Sequence, residues 1–102
     1  MRKFETMLLL SPELSGELRE GVISAMTGII EREGGQMVAT DHWGMKDLAY
    51  PINKQTRGYY VRLEYTAPAA LIAELERNIR ITEGIFRFVT VRLEEEAEAA
   101  NV

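Results

Sequence analysis

The sequence predicts an α+β domain in which a four-stranded antiparallel sheet carries two helices on one face. Two observations lead to this prediction. Strand-like segments alternate with two segments whose apolar residues recur every three or four positions, in the order strand, helix, strand, strand, helix, strand. The length of 102 residues also suits a single core, in which two helices cover one sheet.

The first strand and the first helix are predicted from the opening third of the chain. Residues 2–10 have strand character and end at Ser11, which precedes a proline. Ser15 is a plausible N-cap, and Gly34 with Gly35 stops the helix that follows. The predicted apolar stripe of this helix comprises Leu18, Val22, Ala25, Met26, Ile29 and Ile30.

The middle of the chain predicts two strands joined by a long loop. Residues 36–47 form an extended segment that Gly44 interrupts as a bulge or a close backbone approach. Residues 48–58 are predicted to be the loop. Residues 59–65 then alternate as a half-buried strand, with Tyr60, Arg62 and Glu64 pointing away from the helices.

The last third predicts a second helix, a final strand and a tail. Pro68 suits the first helical turn and Gly84 ends the helix, whose apolar stripe comprises Leu71, Ile72, Leu75 and Ile79. Residues 85–93 form the last strand, so the folded domain spans residues 1–93. Residues 94–102 are predicted to be an acidic, flexible C-terminal tail. This order of elements is the ferredoxin-like arrangement.

Charge is unevenly distributed along the chain. The formal net charge is −4, but four glutamates lie in residues 94–102, so residues 1–93 carry 12 bases and 12 acids. Within that neutral body, residues 46–62 hold four bases against one acid. One face is therefore predicted to be basic. The absence of cysteine fits a reducing compartment, and the short N-terminal apolar run is too short to span a membrane, so we expect a soluble cytoplasmic protein.

The sequence offers little material for catalysis, and we expect no catalytic, metal or cofactor site. His42 is the single histidine, with no serine or cysteine near it in sequence, and it is interpreted as a strand residue with a partly exposed ring. Two alternatives on the same fold are a metabolite-binding regulatory module and a hydrolase. A hydrolase needs an arginine and asparagine pair around an anion, and the available candidates are Asn78 with Arg77 or Arg80.

Residues 43–60 are the most informative segment for function. Bases at Lys46, Lys54 and Arg57 alternate with aromatic residues, which combines phosphate contacts with stacking surfaces. This pattern favours nucleic-acid binding. The alternative is a hairpin with a solvated charged loop, whose aromatic residues fill the core.

The segment LAYPINK at residues 48–54, preceded by Trp43 and Gly44 and followed by Gly58 and Tyr59, resembles the bacterial small-subunit ribosomal protein S6 family. The resemblance extends over residues 1–93 and includes the opening RKFE run and the ELER run at residues 74–77. It implies a non-enzymatic structural constituent of the small ribosomal subunit in the cytoplasm. Such a protein binds small-subunit ribosomal RNA together with ribosomal protein S18 and stabilises the platform during assembly.

The resemblance also implies which residues make contacts. The RNA-binding set comprises Arg2, Lys3, Lys46, Tyr50, Asn53, Lys54, Arg57 and Arg87. A second set, assigned to the partner protein, comprises Trp43, Tyr60 and Arg62. The family tends to carry several bases between Gly44 and Leu48, whereas this chain has Asp47 there, which would repel a phosphate.

Overall fold

The predicted arrangement of strands and helices is confirmed by the computed structural model, which describes residues 1–93; the tail predicted over residues 94–102 lies outside the described residues. The elements are β1 (Arg2–Leu10), α1 (Gly16–Arg32), β2 (Gln36–Ile52), β3 (Gln55–Ala67), α2 (Ala70–Arg80) and β4 (Ile85–Arg92). The strands form one sheet in the order β2-β3-β1-β4, and every neighbouring pair is antiparallel. The fold is therefore α+β and ferredoxin-like.

The core lies between the helices and one face of the sheet. Alternate residues of the two central strands, such as Leu8 on β1 and Leu63 on β3, are completely buried there. They pack with apolar side chains of both helices, including Ile30 and Leu75. The opposite face of the sheet, called the open face below, carries no helix. The strand residues that alternate with the buried ones point to this open face. Their side chains are therefore available for contacts with other molecules.

Helix α1 begins at its predicted cap and buries a slightly different stripe from the one predicted. The Ser15 hydroxyl accepts a hydrogen bond from the Leu18 backbone N–H at 3.1 Å, as an N-cap does. Leu18 and Ala25 are exposed, and Ile23 takes a buried place beside Met26, Ile29 and Ile30. Leu18 precedes Ile23, the first buried residue of the helix, so the first turn of α1 lies outside the core.

Helix α2 is shorter at both ends than the sequence indicated. It begins at Ala70 and ends at Arg80, and Gly84 belongs to the following turn, where its φ is +95°. Pro68 still contributes to the start, because its carbonyl accepts a hydrogen bond from the Leu71 N–H at 3.0 Å. Within residues 1–93, neither helix is long and apolar enough to cross a membrane.

The long loop predicted over residues 48–58 is wrong. Strands β2 and β3 continue through this region and form a hairpin that turns at only Asn53 and Lys54. Both turn residues have positive φ, 51° and 66°, as in the two-residue turn whose twist matches that of paired strands. Asparagine tolerates this backbone conformation. Glycine is usual at the second position of such a turn, but this chain has a lysine there, so the sequence did not indicate a two-residue turn.

Candidate nucleic-acid interface

The β2–β3 hairpin carries exposed bases beyond the end of the sheet. Lys46, Lys54 and Arg57 are exposed. Neither lysine has an ion-pair partner among residues 1–93. Arg57 lies opposite Asp47, with 3.2 Å between its Nε and a carboxylate oxygen. The one acid of this region therefore neutralises Arg57 across the strands, which leaves the two lysines as the dominant positive charges.

The segment from Leu48 to Pro51 leaves the regular ladder. Asp47 pairs with Arg57 and Ile52 pairs with Gln55, so four residues of β2 oppose a single residue of β3. Pro51 has no N–H to donate to a partner strand, which favours a bulge at this point. The smaller irregularity predicted at Gly44 is also present. The φ of Gly44 is +90°, a backbone conformation that glycine adopts readily.

The bulge lies across the open face and borders a partly open cavity of about 250 Å³. Met7, Leu9 and Val89 line the cavity from the sheet, and Leu48, Ala49 and Ile52 line it from the hairpin. Tyr50 is 60% exposed, and the Arg87 guanidinium lies 6.0 Å from the centre of its ring. These two predicted contact residues, distant in sequence, therefore meet at the mouth of the cavity.

Arg62 is surrounded by three carboxylates on the open face, and we call this group the carboxylate cluster. Its guanidinium nitrogens lie 2.7 Å from Glu5, 2.8 Å from Asp41 and 2.9 Å from Glu64. The hydrogen bond to Glu5 is the main reason that the pKa of Arg62 is raised above its ordinary value. Lys3 approaches Glu64 at 3.8 Å. Three acids and two bases give this part of the surface one excess negative charge.

The structure does not bring all of the predicted RNA-binding residues together. Arg2 pairs with Ala67 at one end of β1, whereas Leu10 at the other end pairs with Tyr59 next to the hairpin. Eight residues of strand separate these ends by about 27 Å. Arg2 and Lys3 therefore belong to one end of the sheet, and the hairpin bases with Arg87 belong to the other.

Two residues of the predicted partner set lie near the hairpin. Tyr60 is half-buried and lines the hairpin cavity. Trp43 lies in the smaller strand irregularity beside Gly44, not in the bulge at residues 48–51. Its side chain is 52% exposed, which is unusual for an indole and leaves a large apolar surface available. Arg62, the third member, is the centre of the carboxylate cluster.

The residues considered for catalysis are engaged in ordinary structural contacts. His42 Nδ1 lies 3.0 Å from the Tyr59 hydroxyl, and its other nitrogen lies 3.9 Å from a Glu20 carboxylate oxygen. The amide of Asn78 donates to the Glu74 carbonyl and carboxylate, which also binds Arg77. Among residues 1–93, no group of three or more histidine, cysteine, aspartate or glutamate side chains is arranged so that it could hold a metal ion.

The cavity was not predicted from the sequence, and only one of its features had a signal. Pro51 in an otherwise strand-like run indicates a departure from the ladder. Met7 and Val89 lie more than 80 positions apart, and nothing in their local sequence indicates that the hairpin covers them both. Their proximity depends on the order of the strands.

Comparison with known sequences identifies close relatives over nearly the whole chain. The model of the family described as Ribosomal protein S6 matches residues 3–92. The small ribosomal subunit protein bS6 of Desulfovibrio desulfuricans is 70% identical over 96 residues, which are 94% of each chain. That of Nitratidesulfovibrio vulgaris strain DP4 is 64% identical over 98 residues, 96% of this chain and 97% of the relative.

Comparison with solved structures supports the fold. The 30S ribosomal protein S6 of Thermotoga maritima superposes with a TM-score of 0.90 at 28% identity, covering 99% of this chain and 98% of that one. The C-terminal domain of the MgtC protein from Mycobacterium tuberculosis has a TM-score of 0.58 at 7% identity, covering 93% of this chain and 90% of that one. The second likeness reflects the shared fold alone.

Proposed function

Since the chain belongs to the ribosomal protein S6 family, we propose that it binds small-subunit ribosomal RNA through its hairpin, acts together with ribosomal protein S18, and stabilises the platform during assembly. The family consists of structural, non-enzymatic components of the small ribosomal subunit, so the chain is a ribosomal constituent located in the cytoplasm. The RNA contacts, the S18 partnership and the role in assembly are the parts that we propose.

The exposure of Lys46 and Lys54 is the observation that carries the RNA-binding proposal. Their charges face solvent on an element that projects from the sheet, where a phosphate backbone can approach without meeting the carboxylate cluster. Asn53 contributes an exposed amide at the turn, and Arg57 contributes a guanidinium that Asp47 partly neutralises. Arg2 offers a further exposed base at the far end of β1.

The balance of charge supports joint binding with a basic partner. Residues 1–93 are neutral overall, so long-range attraction to RNA is weak for this chain alone. A basic partner bound beside the hairpin would add positive charge and would share the RNA surface. We therefore expect RNA affinity to be substantially higher with S18 than without it, and equal affinities would contradict joint binding.

We expect the double variant Lys46→Ala, Lys54→Ala to bind a small-subunit ribosomal RNA junction fragment more weakly in the presence of S18. Each lost phosphate contact reduces the slope of log K against log salt by about 0.9 on duplex and about 0.7 on single strands. The double variant should therefore reduce the slope by about 1.4 to 1.8, as measured by filter binding over a range of salt concentrations.

The matched control is Arg77→Ala, Arg80→Ala on the outer surface of α2, which changes the net charge by the same amount. This control should retain the slope of the unaltered protein. If the two double variants reduce the slope equally, overall charge and not the hairpin determines binding, and the proposed RNA surface is wrong.

A further inference from the structure

We propose that a groove on the helix side of the molecule binds a protein segment that carries an aliphatic side chain next to a lysine or arginine. The groove lies between α1 and the start of β4, and we call it the acidic groove after the carboxylates that line it. It shares no lining residue with the cavity beside the hairpin. The proposed contact is therefore separate from those of the hairpin, and the inference does not depend on them.

Apolar side chains form the walls of the acidic groove. They come from the β1–α1 loop, from α1 and from β4, namely Leu14, Leu18, Val22 and Phe86. Leu18 was predicted as part of the buried stripe of α1, but it is 60% exposed because the core begins further along the helix. The groove has a volume of about 410 Å³, within the range of sites that hold small ligands, about 300 to 1,000 Å³. An aliphatic side chain that enters it gains apolar burial that this chain alone does not supply.

Hydrogen bonds between the two loops that border the groove fix its shape. The Ser11 N–H donates to the Gly84 carbonyl at 2.8 Å, which joins the end of β1 to the turn before β4. The Ser11 hydroxyl in turn accepts a hydrogen bond from the Glu13 N–H at 3.1 Å. Leu14 packs against Gly84, where an added Cβ would lie 3.2 Å from a Leu14 methyl carbon. A partner therefore meets a preformed groove and loses little binding free energy to ordering these loops.

The carboxylates of the groove favour a positively charged occupant. Glu13 and Glu83 line the groove and are exposed, and Glu17 lies exposed next to Leu18 in sequence. Of the described residues, no lysine or arginine lines the groove. Among residues 1–93, none of the three glutamates forms an ion pair. The Glu13 carboxylate accepts a hydrogen bond from the Gln55 amide at 2.9 Å, which holds its position without neutralising it. A lysine or arginine is therefore attracted to this groove.

The arginines close to the groove in sequence are engaged elsewhere. The Arg19 guanidinium lies 3.9 Å from the centre of the Tyr59 ring. That of Arg80 lies 5.4 Å from the centre of the Phe88 ring and 3.6 Å from a Glu76 carboxylate oxygen. Both guanidinium groups are occupied by these contacts, so the groove keeps its negative charge. The charge repels a phosphate backbone, and a symmetric pairing of two copies through the groove would place glutamates against glutamates. A basic protein segment with an aliphatic side chain fits both the charge and the apolar walls.

Photocross-linking from the groove identifies its occupant. A benzophenone side chain is introduced in place of that of Leu18 in the full chain, which is expressed in cells and assembled into small ribosomal subunits before irradiation. We expect a cross-link to a protein segment that contains an aliphatic residue and a lysine or arginine. The same group in place of Val38, which is exposed on β2, is the control and should not cross-link to that segment.

Charge variants test whether the carboxylates hold the segment. We expect Glu13→Gln, Glu83→Gln to lower the cross-linking yield by about fivefold, because two partly exposed ion pairs are lost. The matched control, Glu31→Gln, Glu33→Gln, removes the same charge at the other end of α1, about 20 Å from Leu18. It should lower the yield by less than about twofold.

A synthetic copy of the cross-linked segment then measures the affinity directly. In calorimetry with the purified chain, we expect Leu18→Ser to weaken binding by about tenfold and Val38→Ser by less than about twofold. Both positions are exposed, so both variants should remain folded, which thermal denaturation checks. Filter binding of the RNA fragment should be unchanged in Leu18→Ser, because the hairpin lysines are intact.

Three outcomes would overturn the inference. A cross-link from position 18 to RNA or to an acidic segment would show that the groove has a different occupant. A cross-link from position 18 that is no stronger than the one from position 38 would show that nothing occupies the groove. Equal yields in the two double variants, or equal affinities of Leu18→Ser and Val38→Ser, would show that the residues of the groove do not hold the segment.

Discussion

Arg62 shows how a single residue acquires its role from neighbours that the local sequence does not reveal. Its alternation with Val61 and Leu63 correctly places it on the open face. The neighbours that matter are Glu5 and Asp41, which lie on the two flanking strands. A base that seemed available for a partner is therefore largely neutralised within the protein, and its side chain is only 19% exposed.

Tyr65 is the clearest buried polar residue. Its hydroxyl lies 2.7 Å from the Thr6 hydroxyl, which lies 2.9 Å from that of Thr90, so the three side chains form a short hydrogen-bonded chain within the core. Burial raises the pKa of Tyr65 above its ordinary value, and the bond to Thr6 opposes this shift. The network satisfies polar groups that would otherwise lower stability.

We expect Tyr65→Phe to lower the free energy of unfolding by about 1 kcal/mol, because one buried hydrogen bond is lost while Thr6 keeps its bond to Thr90. The pKa of Tyr65 is higher in the folded than in the unfolded state, so its linkage contribution is fully present below about pH 10 and is lost as the pH rises towards the folded value. The variant should lack this alkaline loss.

Urea denaturation at neutral and alkaline pH measures both effects. Tyr60→Phe is the control, because the Tyr60 hydroxyl has no hydrogen-bond partner among residues 1–93. An unchanged free energy of unfolding in Tyr65→Phe, or the same alkaline loss in both variants, would show that the buried network contributes little to stability.

At the scale of elements, the hairpin combines a strained turn with a positive charge that we propose contacts RNA. Lys54 adopts a φ of +66°, in the left-handed region that a side chain with a Cβ disfavours by about 1 to 2 kcal/mol. Glycine at this position would relieve the strain, so the presence of lysine is explained more easily by binding than by stability.

We expect Lys54→Gly to raise the free energy of unfolding by up to about 1 kcal/mol, because the relief of strain exceeds the greater flexibility of glycine in the unfolded chain. RNA affinity should fall at the same time, because a phosphate contact is lost. Lys46→Gly is the contrasting variant, since Lys46 lies in an extended strand and glycine there should lower both stability and affinity.

Urea denaturation and filter binding separate these effects. A Lys54→Gly protein that binds RNA as tightly as the unaltered protein would show that the lysine is not a contact. One that is less stable than the unaltered protein would show that the turn is not strained in the way that its backbone angles indicate.

At the scale of the whole molecule, the sheet separates two basic regions by the length of β1. Arg2 and the hairpin lie about 27 Å apart, with the carboxylate cluster on the open face between them. An RNA that contacts both regions by crossing the open face would have to pass the carboxylates of this cluster.

We expect Arg2→Ala and Lys54→Ala to weaken RNA binding independently, because residues this far apart with no shared neighbour have additive effects. Filter binding of the two single variants and the double variant, with S18 present, measures this additivity. An Arg2→Ala protein with unchanged affinity and salt slope would remove Arg2 from the RNA surface and confine RNA to the hairpin.

Much of the fold was predictable because it depends on patterns within each segment. The alternation of residues 59–65 identified the open face, and Ser15 with Gly34 correctly bounded the region of α1. The false loop over residues 48–58 arose because a bulge and a lysine-containing turn interrupt the usual strand pattern. The residues assigned to RNA came from the family resemblance and from the chemistry of residues 43–60, which indicate the type of contact but not which residues share a surface.

The sequence by itself determined the order of elements, the two faces of the sheet, the family and the bases of the hairpin, because periodicity and motif are properties of neighbouring residues. Tertiary structure alone decided that Arg62 is neutralised, that Arg2 lies far from the hairpin, and that Tyr50 meets Arg87 over an apolar cavity. These relations join residues on different strands. They follow from the pairing order β2-β3-β1-β4 and from the bulge at Pro51, which place distant segments side by side.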